Sequence, residues 1–322
     1  MRGMMTATVA ATAMTILSTT SPALAQQQGT TAPPPPDVVA TFKSSIDLVR
    51  VSAFVRDRKG RFVTGLRQGD FEVVESGRAR AITEFRHELA NVSLALLFDV
   101  SGSMEARMPA AKEAATHVLS WLKGDDEAAV YTFDTRLEEV RGFRAGEQSL
   151  PTELAAVRPF GATSLHDAIA RTADKVASRP SLRRAVIVFT DGNDTASRLT
   201  ASEVSGMASA IDVPVYIVGI VPPIDDPTDD LSATSMERSA LTSSLSNLAY
   251  WTGGDTFIVS SIAERSTTAR RIVDELRQQY LIAFEANAQP GWHPLEVRMK
   301  NKELMVRARS GYFAGHTRPV SQ

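Results

Sequence analysis

The spacing of apolar and polar positions divides the chain into three textures. Over residues 43–90 the apolar runs are short and often alternate with polar residues. Leu48, Val51, Ala53 and Val55 lead into Asp57-Arg58-Lys59-Gly60, a turn signal, and Phe62-Val63 resumes the pattern. Phe71 to Glu75 and Ile82 to Phe85 lie on either side of Ser76-Gly77. These segments read as short antiparallel strands with tight turns. From Val92 the texture changes. Ser93 to Val100 is a nearly unbroken apolar run, as expected of a strand buried on both faces. Ala111, Ala114, Ala115, Val118, Leu119 and Leu122 then form one helical stripe. Ala128 to Phe133 is the next strand. Leu165, Ala168, Ile169, Thr172 and Val176 stripe a second helix, which stops before Pro180.

Ala185 to Thr190 and Val215 to Ile220 are again strands, with a helix over Ser202 to Ile211 between them. A helix over Met236 to Trp251 with a Gly253-Gly254 cap, a strand over Phe257 to Val259 and a helix over Ile262 to Arg277 complete the alternation. Such repetition predicts an α/β fold with a doubly wound, mostly parallel sheet covered on both faces. After Arg277 the β texture returns in Tyr280 to Phe284, Leu295 to Met299 and Met305 to Ala308, closed by Gly311-Tyr312-Phe313. Three strands cannot bury a face alone. The expectation is therefore an α/β domain over residues 91–278, inserted in a smaller β domain. That β domain is built from both chain ends, residues 43–90 packing with residues 279–316.

Composition narrows the function classes. The chain has 322 residues, 43% of them hydrophobic, enough for one large core or two smaller ones. A net charge of -2 gives no nucleic-acid footprint. With no cysteine, disulfides, thiolate metal sites and a cysteine nucleophile are excluded. Arg2, the apolar stretch Met4 to Leu17 and Ala23-Leu24-Ala25 read as a signal peptide over residues 1–25, cleaved near Ala25. The stretch falls short of the ~20 residues that span a bilayer. Residues 26–42, with Pro33 to Pro36, read as an extended linker. The expected product is exported, periplasmic or secreted, with no membrane span in the mature chain.

Candidate chemistry gathers where the buried strands end. The first runs into Asp99-Val100-Ser101-Gly102-Ser103, three oxygen side chains in one loop that Gly102 allows to bend tightly. Ligands of doubly wound sheets sit at the carboxyl ends of strands. The Thr190-Asp191-Gly192 end of a second buried strand belongs to that edge, and so does the Gly161-Ala162-Thr163-Ser164 loop. Two carboxylates and three hydroxyls form a hard oxygen set that suits Mg2+, Mn2+ or Ca2+. The histidines, His87, His117, His166, His293 and His316, are scattered and form no competing cluster.

Asp99-x-Ser101-x-Ser103, Thr163 and Asp191-Gly192 together resemble the metal-ion-dependent adhesion site of von Willebrand factor A (VWA) domains, as in integrin I domains. The resemblance spans roughly residues 92–277, with all five motif positions intact. It implies Ser101, Ser103 and Thr163 as direct ligands. Asp99 and Asp191 would be carboxylates acting directly or through water, and one position would be open to an acidic group of a partner. Flanking segments resemble those of an exported bacterial VWA-related family: Arg58-Lys59-Gly60-Arg61, Gly69-Asp70-Phe71, Glu275-Leu276-Arg277-x-Gln279-Tyr280 and Gly311-Tyr312-Phe313.

The implied activity is metal-mediated binding of a protein that presents Asp or Glu, not catalysis. Two other readings are a metal-dependent hydrolase, for which His166 or an acidic loop would supply the base, and a structural envelope protein with a stabilising metal. Asp167 is expected as a carboxylate in the first turn of its helix, and His166 as a rim residue. Trp121 and Trp251 are expected to pack, and Arg270-Arg271 to face solvent. Asp225, Asp226, Asp229 and Asp230 read as a solvated acidic loop leaving the metal-bearing edge.

Overall fold

A computed structural model describes residues 48–87, 90–210, 212–221 and 243–314. The expected signal peptide, the linker, the acidic loop and the first part of the Met236 helix lie outside these residues.

Periodicity sets the central layer. Six strands lie in one sheet: β5 (Val92–Asp99), β6 (Glu127–Phe133), β7 (Leu137–Ala145), β8 (Arg183–Thr190), β9 (Val215–Ile220) and β10 (Thr256–Val259). Their order is β10-β9-β8-β5-β6-β7, all neighbours parallel except the antiparallel edge strand β7. Every residue of β5 is buried. Its two faces feed different cores. Leu94, Leu96 and Phe98 pack with α1 (Met108–Ser120) and α5 (Ile262–Arg277). Ala95 and Leu97 pack with α2 (Leu165–Ala177), α3 (Ala201–Ala210) and α4 (Ser244–Trp251). Alternate residues of a strand point to opposite faces, so helices on both sides require apolar residues at every position. The helix stops follow local chemistry. At the end of α4, Gly253 takes φ +87° and its N–H donates to Tyr250 O, while Gly254 N–H donates to Ala249 O, a Schellman cap.

The chain ends form two further antiparallel sheets. Strands β1 (Leu48–Asp57), β4 (Ile82–Arg86), β11 (Tyr280–Glu285) and β13 (Leu304–Arg307) are ordered β13-β1-β11-β4. Strands β2 (Phe71–Glu75), β3 (Arg78–Arg80), β12 (Gly291–Met299) and β14 (Gly311–Ala314) are ordered β14-β12-β2-β3. Val51, Val55, Phe71, Val73, Ile282 and Val297 share a third core. N-terminal strands thus pair with C-terminal ones, β1 with β11 and β2 with β12.

Besides the edge strand β7, which the apolar pattern does not predict, three details depart from the sequence reading. Ser76-Gly77 turns β2 into β3, not into β4, which pairs with β11 instead. Both turn residues have positive φ, 47° and 81°, the two-residue geometry that suits strand twist. The C-terminal segment supplies four strands, because Gly311–Ala314 is itself a strand. Trp251 is not a packed residue: it is 38% exposed. Trp121 does pack, against the first core and under the Arg270 guanidinium. Arg270 and Arg271 are exposed, as expected, yet lie over Trp121 and Phe257.

Contacts at the joint between the central sheet and the end sheets account for one of the flanking motifs, Glu275-Leu276-Arg277-x-Gln279-Tyr280. Glu275 on α5 is fully buried and forms ion pairs with Arg56 of β1 and Arg307 of β13, and its Oε1 accepts from the Tyr216 hydroxyl at 2.8 Å. Arg307 also donates to Asp255, again at 2.8 Å. Two residues on, Arg277 donates to Trp121 O and pairs with Asp126 at 2.5 Å. Tyr280 donates to Val63 O at 2.9 Å. A helix that ends in this run of partners fixes where the sandwich meets the sheet.

Candidate metal site

Sheet order positions the site. The chain runs outward from β5 through β6 to β7, then returns to β8 on the other side of β5. The strand order therefore reverses between the carboxyl ends of β5 and β8, the place where open α/β sheets leave a crevice. Asp99 is the last residue of β5, and Asp191 follows the last residue of β8.

Three loops meet there and are stitched to one another. Phe160 N–H donates to Val100 O at 2.8 Å and Gly102 N–H to Gly161 O at 3.2 Å, joining the Asp99 loop to the Thr163 loop. Thr163 N–H donates to Thr195 Oγ1 at 3.0 Å, and Thr163 O accepts from the N–H groups of Thr195 and Ala196, joining the Thr163 and Asp191 loops. The Thr190 hydroxyl donates to Asp99 Oδ2 at 2.7 Å and itself accepts from Gly192 N–H at 3.1 Å, closing the ring between β5 and β8.

The side chains within this ring are hard donors. Asp99 and Asp191 are fully buried, and Ser101 and Thr163 nearly so, at 2% exposure each. Ser103 is exposed, and its Oγ lies 3.2 Å from Ser101 Oγ. Asp99 Oδ1 accepts from Ser101 N–H at 2.9 Å, which bends the loop so that both hydroxyls share one side. Burial pushes the Asp99 carboxyl up to about 6, against the hydrogen bonds from Thr190 and Ser101, and the Asp191 charge adds to the rise. Arg107 pairs with Asp191 at 3.5 Å and donates to Ser103 O at 2.6 Å. Among the described residues Asp99 has no cation partner. No three His, Asp or Glu side chains converge among those residues, so an ion here would draw on the hydroxyls. Two buried carboxylates, one of them without a counter-cation, beside paired hydroxyls are a donor set that fits a divalent hard cation.

Two neighbours were visible in the sequence without their roles. Asp167 lies in the first turn of α2, where its carboxylate accepts from Leu199 N–H at 2.9 Å and from Arg198 N–H. It anchors the loop after Asp191. His166 is more than a rim residue: its Nδ1 lies 2.6 Å from Asp194 Oδ2 and 3.2 Å from Leu199 O. Burial raises the Asp194 carboxyl, but His166 and Ser197 outweigh it and hold it down at about 2. The pair resembles the orienting half of a catalytic dyad. The imidazole Nε2, however, is buried without a partner among the described residues, so a substrate cannot reach it as the side chain stands. Clefts of about 660 Å³ beside Glu75 and Trp292, and about 450 Å³ along β7, are lined by none of the five candidate residues.

Residues 94–193, from β5 through the Asp191 loop, match the von Willebrand factor type A domain family. All five candidate residues fall within that span. No curated protein matches the chain. Among solved structures, the conserved hypothetical protein BatB from Bacteroides thetaiotaomicron is 18% identical with a TM-score of 0.46, covering 57% of this chain and 98% of its own. An aerotolerance-related membrane protein from Bacteroides fragilis NCTC 9343 is 18% identical with a TM-score of 0.47, covering 58% and 98%. A von Willebrand factor type A structure from Catenulispora acidiphila is 14% identical with a TM-score of 0.45, covering 84% and 73%. Residues 94–193 thus match a VWA-type domain model, and the sheets built from the two chain ends flank that span.

Proposed function

We propose that the chain is an exported protein-binding module that engages an acidic group of a partner protein through a divalent metal. The observation that carries this reading is the ring of three stitched loops, with two fully buried carboxylates and two hydroxyls 3.2 Å apart. Asp99, Ser101, Ser103, Thr163 and Asp191 would hold the ion, with Mg2+ first and Mn2+ or Ca2+ as alternatives. Bound largely by neutral hydroxyls, such an ion keeps much of its charge and offers an open position to a carboxylate. The chain's own part is to hold the donors still: Thr190 and Ser101 N–H orient Asp99, while Arg107 restrains Asp191. Among the described residues no helix is long and apolar enough to cross a membrane, and export rests on the N-terminal sequence alone.

The hydrolase reading would need an accessible base; the buried Nε2 of His166 argues against that residue, and the acidic loop, the other candidate, lies outside the described residues. A structural role with a stabilising metal is separated by measuring partner binding with and without chelator. Calorimetry with Mg2+ or Mn2+ should give one site, and Asp99→Ala should abolish it. Undiminished metal binding in that variant would falsify the ligand assignment. Loss of metal binding with no effect on partner capture would instead favour the structural role.

A further inference from the structure

The mouth of the metal site is built from small residues and one aromatic. Gly102, Gly161 and Ala162 are all exposed there. A Cβ added at Gly102 would already contact the Gly161 backbone at 3.8 Å, and Gly161 needs φ +88°. Beside these stands Phe160, 82% exposed, the most exposed large apolar side chain among the described residues. Single exposed apolar residues are ordinary on protein surfaces. Phe160 differs in its attachment. Its N–H is bonded to Val100 O, the next residue bonds to Gly102, and Thr163 follows three positions later. The backbone that displays the ring is thus the backbone that supplies a metal donor, and it is fixed before any partner arrives. An exposed aromatic carried on a backbone fixed in this way has the character of a binding anchor.

We propose that the partner's acidic residue is flanked by a large apolar side chain, and that this side chain packs on Phe160 while the carboxylate meets the metal. The inference rests on the metal-dependent reading above. A charged ledge and an apolar ring held side by side select an acidic-apolar pair over an acidic residue in a polar setting. The small residues at the mouth let the peptide backbone come close enough to engage both. Phe160 would then set specificity without touching the ion.

The test uses the full protein in Mg2+ and two capped pentapeptides, each with a central aspartate, flanked by leucines in one and by serines in the other. The leucine peptide should bind about tenfold more tightly, as expected when one aliphatic side chain is largely buried. Phe160→Ala should bring the two peptides to within about twofold of each other, while leaving metal affinity and serine-peptide affinity unchanged. Two metal-dependent peptides of equal affinity for the unaltered protein would overturn the role of Phe160 and leave the metal-dependent reading standing. A leucine preference that survives Phe160→Ala would overturn it as well. If metal binds but neither peptide does, the acidic-group reading fails, and this inference with it.

Discussion

Asp99→Asn separates the cost of burying a carboxylate from its use as a ligand. Asp99 is fully buried, and burial raises its carboxyl from the ordinary 3.8 to about 6. A raised carboxyl makes the folded chain hold a proton that the unfolded chain has released. The associated stability is complete below pH about 4, declines as pH rises, and is gone above about 6. The displacement corresponds to about 3 kcal/mol. Asparagine has nearly the same shape and no ionisation. Its amide oxygen can accept from Ser101 N–H and its amide nitrogen can donate to Thr190 Oγ1, whereas alanine would leave both buried groups unpaired. In chelator at pH 7 the asparagine variant should therefore be more stable than the unaltered protein by about 1–3 kcal/mol, the range allowing for one weakened hydrogen bond. At pH 4 the two should converge. Excess Mg2+ should raise the unaltered protein by about 2.7 kcal/mol at a hundredfold excess over Kd and leave the variant where it was. Urea titrations at pH 4, 5.5 and 7, with chelator or Mg2+, read all of these. A variant less stable than its parent at pH 7 in chelator would refute the reasoning, as would a difference between the two that does not change with pH.

Two further substitutions probe the frame that carries the site. Glu275→Gln removes the buried negative charge that the half-buried Arg56 and Arg307 share, and should destabilise the protein by about 2–4 kcal/mol in urea unfolding; a change under about 1 kcal/mol would mean that water reaches the joint. Gly254→Ala places a methyl 1.9 Å from Val215 O and 2.5 Å from its carbonyl carbon, so α4 must part from β9. That should lower stability by about 1–3 kcal/mol, the usual range for an overpacked site, and an unchanged melting temperature would show that the contact relaxes freely.

Legibility in the sequence followed burial. Strand β5 could be read because helices cover both of its faces, so all eight of its positions are buried. Helix α5 starts at a capping box, Ser261 accepting from Glu264 N–H while Glu264 accepts from Ser261 N–H, a signal local enough to stand in the sequence. The edge strand β7 was missed. Its Leu-Glu-Glu-Val-Arg-Gly-Phe-Arg-Ala sequence has no fully buried position: Leu137, Val140 and Phe143 are only partly buried against the two cores and give no strict apolar alternation. β3 was missed for a similar reason: its three residues, Arg78-Ala79-Arg80, are paired with β2 by the turn and not by burial. Pattern reports which residues must leave water altogether, and these do so only in part or not at all.

The site divides along the same line. Asp99, Ser101 and Ser103 are close in sequence, so their shared loop was evident before any fold was known. Asp191 and Thr163 followed once the strand edge was argued, because topology brings the ends of β5 and β8 together whatever their side chains are. Arg107 and Asp194 have no signal in the sequence, and the pairing of His166 has none either, since these roles come from contacts across the site: Arg107 with Asp191, and His166 with Asp194. Neither contact leaves a period or a spacing in the chain. The physical consequence is that the donors are specified by motif and sheet topology together, while the charges that tune them are specified by packing alone. A chain with the same five donors could therefore hold its metal with quite different affinity. In this chain the guanidinium of Arg107 faces one of the two buried carboxylates, Asp191, so on the proposed metal-dependent reading Asp99 is the carboxylate whose charge an ion would have to offset.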